Sequence, residues 1–152
     1  MRHLSIMPNT PVAIGEGIVL LEEENSLSPR SSPRQRAAGR FGRGGDSALG
    51  PMGIAGTVAG CGPAYAALFL EALGDAGVYH GLPRELSYRL AAQMLAGTGK
   101  LHLATGQHPG AMKDAVCSPG GTTIRGVAQL EQHGFRAAVI DAVSASAGEK
   151  KE

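Results

Sequence analysis

The sequence predicts an all-α domain preceded by a short β segment and a disordered stretch. Three observations lead there. From Met52 onward, apolar residues recur at helical spacing, and breakers such as Gly81, Gly106 and Gly134 divide them into helix-length runs. Before Met52, residues 22 to 51 are rich in Ser, Pro, Gly and Arg and show no hydrophobic period. Earlier still, two short apolar runs, residues 2–7 and 17–21, flank a loop punctuated by Pro8, Pro11, Gly15 and Gly17.

Taken in order, residues 1–21 read as two β-compatible runs joined by that loop. Residues 22–51 begin with Glu22, Glu23 and Glu24 and then scatter Arg30, Arg34, Arg36, Arg40 and Arg43 among Ser, Pro and Gly. Too little apolar surface is available there to offset the entropy of ordering, so disorder is expected. The abrupt change of composition suggests an aberrant segment, as a shifted reading frame would produce. Residues 52–148 form the helical part, and residues 149–152 a frayed tail.

Within the helical part, Gly60, Cys61 and Gly62 read as a flexible entry and Pro63 as the first turn of a helix running from Ala64 to Val78. That helix is apolar nearly all round, which predicts burial on more than one side and therefore a partner copy: residues 52 to 147 are expected to form a helical homodimer. Pro83 opens a second helix, about Arg84 to Leu103, with Leu86, Leu90, Leu95 and Leu101 as its stripe. Gly97 and Gly99 inside it read as packing contacts or a slight bend. A short helix, Gly110 to Val116, and two longer ones, Ile124 to Gln132 and Phe135 to Ala145, complete the domain.

Composition narrows the function. The formal net charge is +1, which gives no bulk electrostatic case for nucleic acid or anionic membranes. Aromatic residues are only 4% and Trp is absent, so the core must be built from Ala, Leu, Val and Met. No run is read as the roughly 20 apolar residues of a spanning helix, and no signal-peptide core opens the chain, so the cytoplasm is the expected location. Cys61 and Cys117 lack metal spacing and read as free thiols. His3, His80, His102, His108 and His133 lack the pairing of a metal site.

The stretch Pro109 to Glu131 has the clearest chemistry. Ser118, Pro119, Gly120 and Gly121 force a turn between two helices, and Thr122 or Thr123 is placed to cap the second one. Glycines admit a ligand close to the backbone, and the helix that follows directs free N–H groups and its positive dipole end at the same spot. Such a turn suits a carboxylate, and it also suits an ordinary helix–turn–helix corner.

Ser118-Pro119-Gly120-Gly121-Thr122-Thr123, with Lys113-Asp114 before it and Leu130-Glu131 after it, resembles the signature of pyrroline-5-carboxylate reductases. Gln107-His108-Pro109-Gly110, Gly60-Cys61-Gly62-Pro63-Ala64-Tyr65 and Met7-Pro8-Asn9-Thr10-Pro11 resemble further blocks of that family, and the similarity covers about Met52 to Ala147 and the N-terminal block. The resemblance implies a helical dimerisation domain of that type, preceded by a remnant of the end of a Rossmann domain. It implies NADPH- or NADH-dependent reduction of 1-pyrroline-5-carboxylate to L-proline, in a homodimer or higher homo-oligomer. By the same resemblance Gly121, Thr122 and Thr123 hold the substrate carboxylate through backbone N–H groups and a hydroxyl, Ser118 and Gly120 shape that turn, Asn9 touches the cofactor, and no residue is assigned to proton transfer.

The sequence also departs from the family. No dinucleotide fingerprint is present: Gly42-Arg43-Gly44-Gly45 and Gly60-Cys61-Gly62 lack its third glycine and its downstream acid. A truncated chain, with the N-terminal dinucleotide-binding part missing, is therefore expected. A carboxylate of some family members corresponds to a position near Leu49, a cofactor-touching asparagine to Ala115, and an acid to Gly106. One rival reading is a helical dimerisation module with no activity of its own. A weaker rival is an RNA-associated protein that uses residues 27 to 45.

Overall fold

The computed structural model describes residues 6–22, 43–44 and 53–148. Strand β1 (Ile6–Pro8) pairs antiparallel with β2 (Val19–Glu22), in the register Ile6↔Leu21, Met7↔Leu20 and Pro8↔Val19. Strand β3 (Arg43–Gly44) adds to β2 in parallel. The loop between β1 and β2 is not featureless: Thr10–Ile14 form a 3-10 helix with a proline in its first turn. Glu22, Arg43 and Gly44 of the segment predicted to be disordered thus belong to the sheet. Residues 23–42 and 45–52 of that segment, the position near Leu49 and the tail 149–152 lie outside the described residues.

Five helices follow: α1 (Gly53–Tyr79), α2 (Arg84–Thr105), α3 (Pro109–Ala115), α4 (Thr122–Gln132) and α5 (Phe135–Ser146). The fold class is the helical one that the sequence predicts. Four of the five helices lie within a few residues of their predicted bounds, because Gly81, Gly106 and Gly134 interrupt the chain where expected. Gly106 shows the mechanism. It ends α2 at φ 65°, in the left-handed region, and its N–H returns to the His102 carbonyl at 2.8 Å.

The exception is α1. Where the sequence predicts a flexible entry at Gly60–Gly62 and a helix start at Pro63, the helix is continuous for 27 residues with Pro63 inside it. Proline in a helix interior removes one donor and crowds the carbonyl four residues back, here Ala59, but does not by itself end a helix whose flanks pack. One consequence corrects the sequence expectation about membranes. Because residues 53–62 join the run that follows, α1 is long and apolar enough, by length and composition, to cross a membrane, with a mean hydropathy of 1.4 over an 18-residue window.

The chain divides into two compact units, Met1–Tyr65 with Ile140–Glu152, and Ala66–Val139. In the first, Leu20 and Ala59 are buried. The Tyr65 hydroxyl reaches the last helix, bonding the Ala142 carbonyl at 3.2 Å and Ser146 Oγ at 2.5 Å. In the second, α1 and α2 meet as a close hairpin. The buried Ser87 hydroxyl donates to the Gly74 carbonyl at 2.7 Å. A methyl built on Gly74 would lie 2.8 Å from the Tyr88 ring, and one on Gly77 would run into the Ser87 side chain. The Phe69 and Phe135 rings pack with centroids 5.5 Å apart. The packing glycines are therefore Gly74 and Gly77. A methyl on Gly97 or Gly99, where the sequence predicts contacts, would have nothing within 4 Å.

Apolar side chains remain uncovered. Among the described residues only Leu20, Ala59 and Ala91 are buried hydrophobics. Leu86, Leu90, Met94 and Leu101 form an exposed stripe along α2, and Leu68 on α1 is 68% exposed.

Candidate functional site

The candidate site is the corner between α3 and α4. His108 caps α3: its Nδ1 accepts from the Gly110 N–H at 3.0 Å, and Pro109 occupies the first helical position. The preceding bend is held by His102 Nδ1, which donates to the Gln107 carbonyl at 2.9 Å. At its other end α3 closes with Val116 N–H on the Lys113 carbonyl and Cys117 N–H on the Asp114 carbonyl, at 3.2 and 3.0 Å.

Ser118 to Gly121 then make a hydrogen-bonded turn, with Gly121 N–H donating to the Ser118 carbonyl at 3.0 Å. Pro119 stands second. Gly120 stands third at φ 67°, a conformation that a side chain would strain. Gly121 is needed for a different reason. Its φ is −69°, open to any residue, but a Cβ there would meet the Ser118 carbonyl oxygen at 3.0 Å and the hydroxyl closer still.

The turn delivers the chain straight into α4. Gly121 is the N-cap, where the sequence predicts Thr122 or Thr123, and no side chain caps the helix. Thr122, Thr123 and Ile124 form its first turn, so their N–H groups have no carbonyl behind them in the helix. Gly121 N–H, by contrast, is already committed to Ser118. The corner thus presents two or three backbone donors, the two threonine hydroxyls and the positive end of an 11-residue helix. This arrangement can bind an anion of carboxylate size without a cationic side chain.

Two ion pairs lie on the flanking helices. Lys113 bonds Asp114, whose carboxylate holds the ammonium pKa above its ordinary 10.5, and Arg136 Nε bonds Glu131 at 2.6 Å. Ala115 closes α3 and Gly106 closes α2, so neither position offers a polar side chain. Among the described residues no three His, Cys, Asp or Glu side chains cluster as a metal site, and Cys61 and Cys117 are free thiols.

Asn9 lies in the other compact unit. Its Oδ1 accepts from Ile18 N–H at 2.8 Å, and its Nδ2 donates to the Ala59 carbonyl at 3.2 Å. The sequence reading missed this inward use. The available signal was Pro63: a proline four residues after Ala59 leaves that carbonyl without its helical donor. It also missed the Ile124 N–H, which follows once the helix start is placed at Thr122.

The described residues do not fit a whole dinucleotide. Among the described residues no glycine-rich turn joins a strand to a helix N-terminus, the cradle a pyrophosphate requires, and Gly60–Gly62 lie inside α1.

Residues 51–152 match the family model for pyrroline-5-carboxylate reductase dimerisation. The pyrroline-5-carboxylate reductase of Treponema pallidum is 47% identical over 149 residues, covering 96% of this chain and 56% of that protein. The Escherichia coli enzyme is 43% identical over 145 residues, covering 94% and 54%. Among solved structures, a pyrroline-5-carboxylate reductase from Coxiella burnetii superposes with a TM-score of 0.85 at 29% identity, covering 97% of this chain and 55% of that one. The Plasmodium falciparum enzyme, solved with NADP bound, gives 0.80 at 34% identity, covering 97% and 57%. The similarity is wider than the two sequence blocks suggest, since the Treponema alignment leaves only a few residues of this chain outside it. The chain spans about half the length of the curated relatives it matches. With the family model matched over more than half of its residues, the chain belongs to the pyrroline-5-carboxylate reductase family.

Proposed function

We propose that the protein serves the reduction of 1-pyrroline-5-carboxylate to L-proline with NADPH or NADH, and that this chain supplies the substrate-holding corner and the subunit interface. The observation that carries the reading is the turn Ser118–Gly121 opening on an uncapped α4, in a chain of this family. When bound, the nicotinamide supplies the hydride; a proton completes the addition across C=N. The residues of this chain bind and orient. Thr122 and Thr123 give the substrate carboxylate backbone N–H bonds and a hydroxyl, Ser118 and Gly120 shape the turn, and Gly121 leaves room for the ligand. Holding one end of a small ring fixes which carbon faces the donor.

The subunit interface rests on the exposed stripe of α2 and on α1, whose apolar surface exceeds what one chain covers. A homodimer or a higher homo-oligomer covers it, and the cytoplasm is the compartment proposed. A second reading is favoured by the same stripe and by the dimerisation model: an assembly module without turnover of its own.

Three measurements test these readings. Proline titrated into the labelled chain should shift the amides of residues 118–124, with weak, about millimolar affinity from a few net hydrogen bonds; shifts elsewhere only would remove the site. NADPH oxidation with pyrroline-5-carboxylate separates the enzyme from the silent module. Sedimentation should show at least a dimer at micromolar concentration, and a folded monomer would sink the interface.

A further inference from the structure

The loop that carries Asn9 is docked on α1 where Pro63 leaves that helix a carbonyl to spare. The β1–β2 register continues past Pro8↔Val19, so Asn9 stands opposite Ile18. Asn9 N–H donates to the Ile18 carbonyl at 3.1 Å, and its Oδ1 accepts the Ile18 N–H at 2.8 Å. One side-chain atom therefore closes the loop on itself. The other, Nδ2, leaves the loop and donates to the Ala59 carbonyl at 3.2 Å.

That acceptor exists because of Pro63. Inside α1 the Ala59 carbonyl should receive the N–H of residue 63, but proline has none, and its ring pushes that carbonyl off the helix axis. Ala59 itself is buried, so a carbonyl left unpaired there would be costly. Small residues let the loop come close. Gly56 is buried on the same stretch, and a methyl on Gly60 would stand 3.2 Å from Met7 Cε of β1.

We propose that Asn9 and Pro63 act as a matched pair, the proline exposing an acceptor and the asparagine filling it, so that Asn9 is the positioning residue that sets the Pro8–Ile18 loop on α1. Its effect on a nicotinamide cofactor, which rests on the function proposed above, runs through the placement of the loop. Asn9 acts on the cofactor indirectly, by where it holds the neighbouring backbone.

The test is a cycle of Asn9→Asp, Pro63→Ala and the double variant in the full chain, with helix content checked by circular dichroism. Aspartate is nearly isosteric and keeps the acceptor for Ile18 but loses the donor to Ala59. At neutral pH, Asn9→Asp should unfold at lower temperature than the parent. The gap should close on acidification through the ordinary carboxylate range, because the neutral acid O–H can donate to Ala59. With Pro63→Ala the helix supplies its own N–H to Ala59, and the pH-dependent gap should vanish. Asn9→Ala should speed Ile18 amide exchange about fivefold, the equivalent of one net hydrogen bond, and NADPH affinity should fall with it while proline-induced shifts at Thr122 and Thr123 stay. An Asn9→Asp loss that is equal with and without Pro63→Ala, or an Asn9→Asp chain as stable as the parent at neutral pH, would overturn the pair. If the parent chain binds no NADPH, the cofactor reading fails, and the unfolding and exchange cycle still decides the pair by itself.

Discussion

Two corners of the second compact unit are made of the same residue types and end up in different surroundings. The corner between α1 and α2 has Gly77, Gly81 and Pro83; the corner between α3 and α4 has Pro119, Gly120 and Gly121. The first is closed. Gly81 N–H returns to Val78, Leu82 N–H to Gly77, and the buried Ser87 hydroxyl to Gly74. Outside it, the Asp75 carboxylate receives Arg84 at 2.8 Å and the Tyr88 hydroxyl at 3.0 Å. The second corner closes its turn through Gly121 and Ser118, and α4, like α2 behind Pro83, starts without a side-chain cap. Glycine and proline thus mark a corner without saying what it is for. The surroundings do: Gly74 and Gly77 of the first corner are filled by Tyr88 and Ser87, whereas the second sets the Thr122 and Thr123 hydroxyls beside the start of its helix.

The largest expected effect is at the closed corner. Gly77→Ala drives a methyl into Ser87, with Ser87 Cβ at 3.1 Å and Leu82 Cδ1 at 3.2 Å as the next neighbours. Overpacking of this kind costs about 1–3 kcal/mol, read as a lower urea midpoint. A midpoint unchanged from the parent would show that the hairpin is looser than drawn. At the open corner, Gly121→Val should abolish proline-induced shifts by filling the approach to the backbone while leaving the unfolding midpoint nearer the parent's. Equal damage to both properties would erase the contrast between the corners.

Smaller effects sharpen it. Ser87→Ala removes one buried hydrogen bond, about 0.5–1.5 kcal/mol, and should reduce the penalty of Gly77→Ala because the hydroxyl in the way is gone; strict additivity would argue against the contact. Thr123→Val should weaken proline binding a few-fold, through loss of one hydroxyl at nearly constant volume, without a stability change. The smallest effect belongs to Asp75. Hydrogen bonds from Arg84 and then Tyr88 lower its pKa below the ordinary 3.8. A lowered folded-state pKa gives stability that is present above 3.8 and is lost as pH falls through the folded value. Asp75→Asn should flatten that part of the acid limb, and only slightly, since the pair is exposed.

Four helices are legible in the sequence because their signals are local. A glycine after the last apolar residue or a proline at the first helical position acts through its own backbone dihedral, whatever the rest of the chain does. The turn 118–121 is legible for the same reason. Pro63 misleads because its two meanings, helix start and helix interruption, look alike in one dimension. Gly74 and Gly77 pass unnoticed, because the identity of a packing glycine depends on which helix lies against it.

The sequence by itself determined where most helices stop, where the turn with a positive φ at Gly120 sits, and that too much apolar surface exists for a single chain. Each of these follows from steric or hydration properties carried by neighbouring residues. Tertiary structure alone decided that α1 runs through Pro63, that Asn9 fills the carbonyl which Pro63 frees, and that Ser87 closes the α1–α2 hairpin. The two hydrogen bonds among these join donors and acceptors 50 and 13 residues apart. A hydrogen bond is specified by distance and angle, neither of which a residue type encodes.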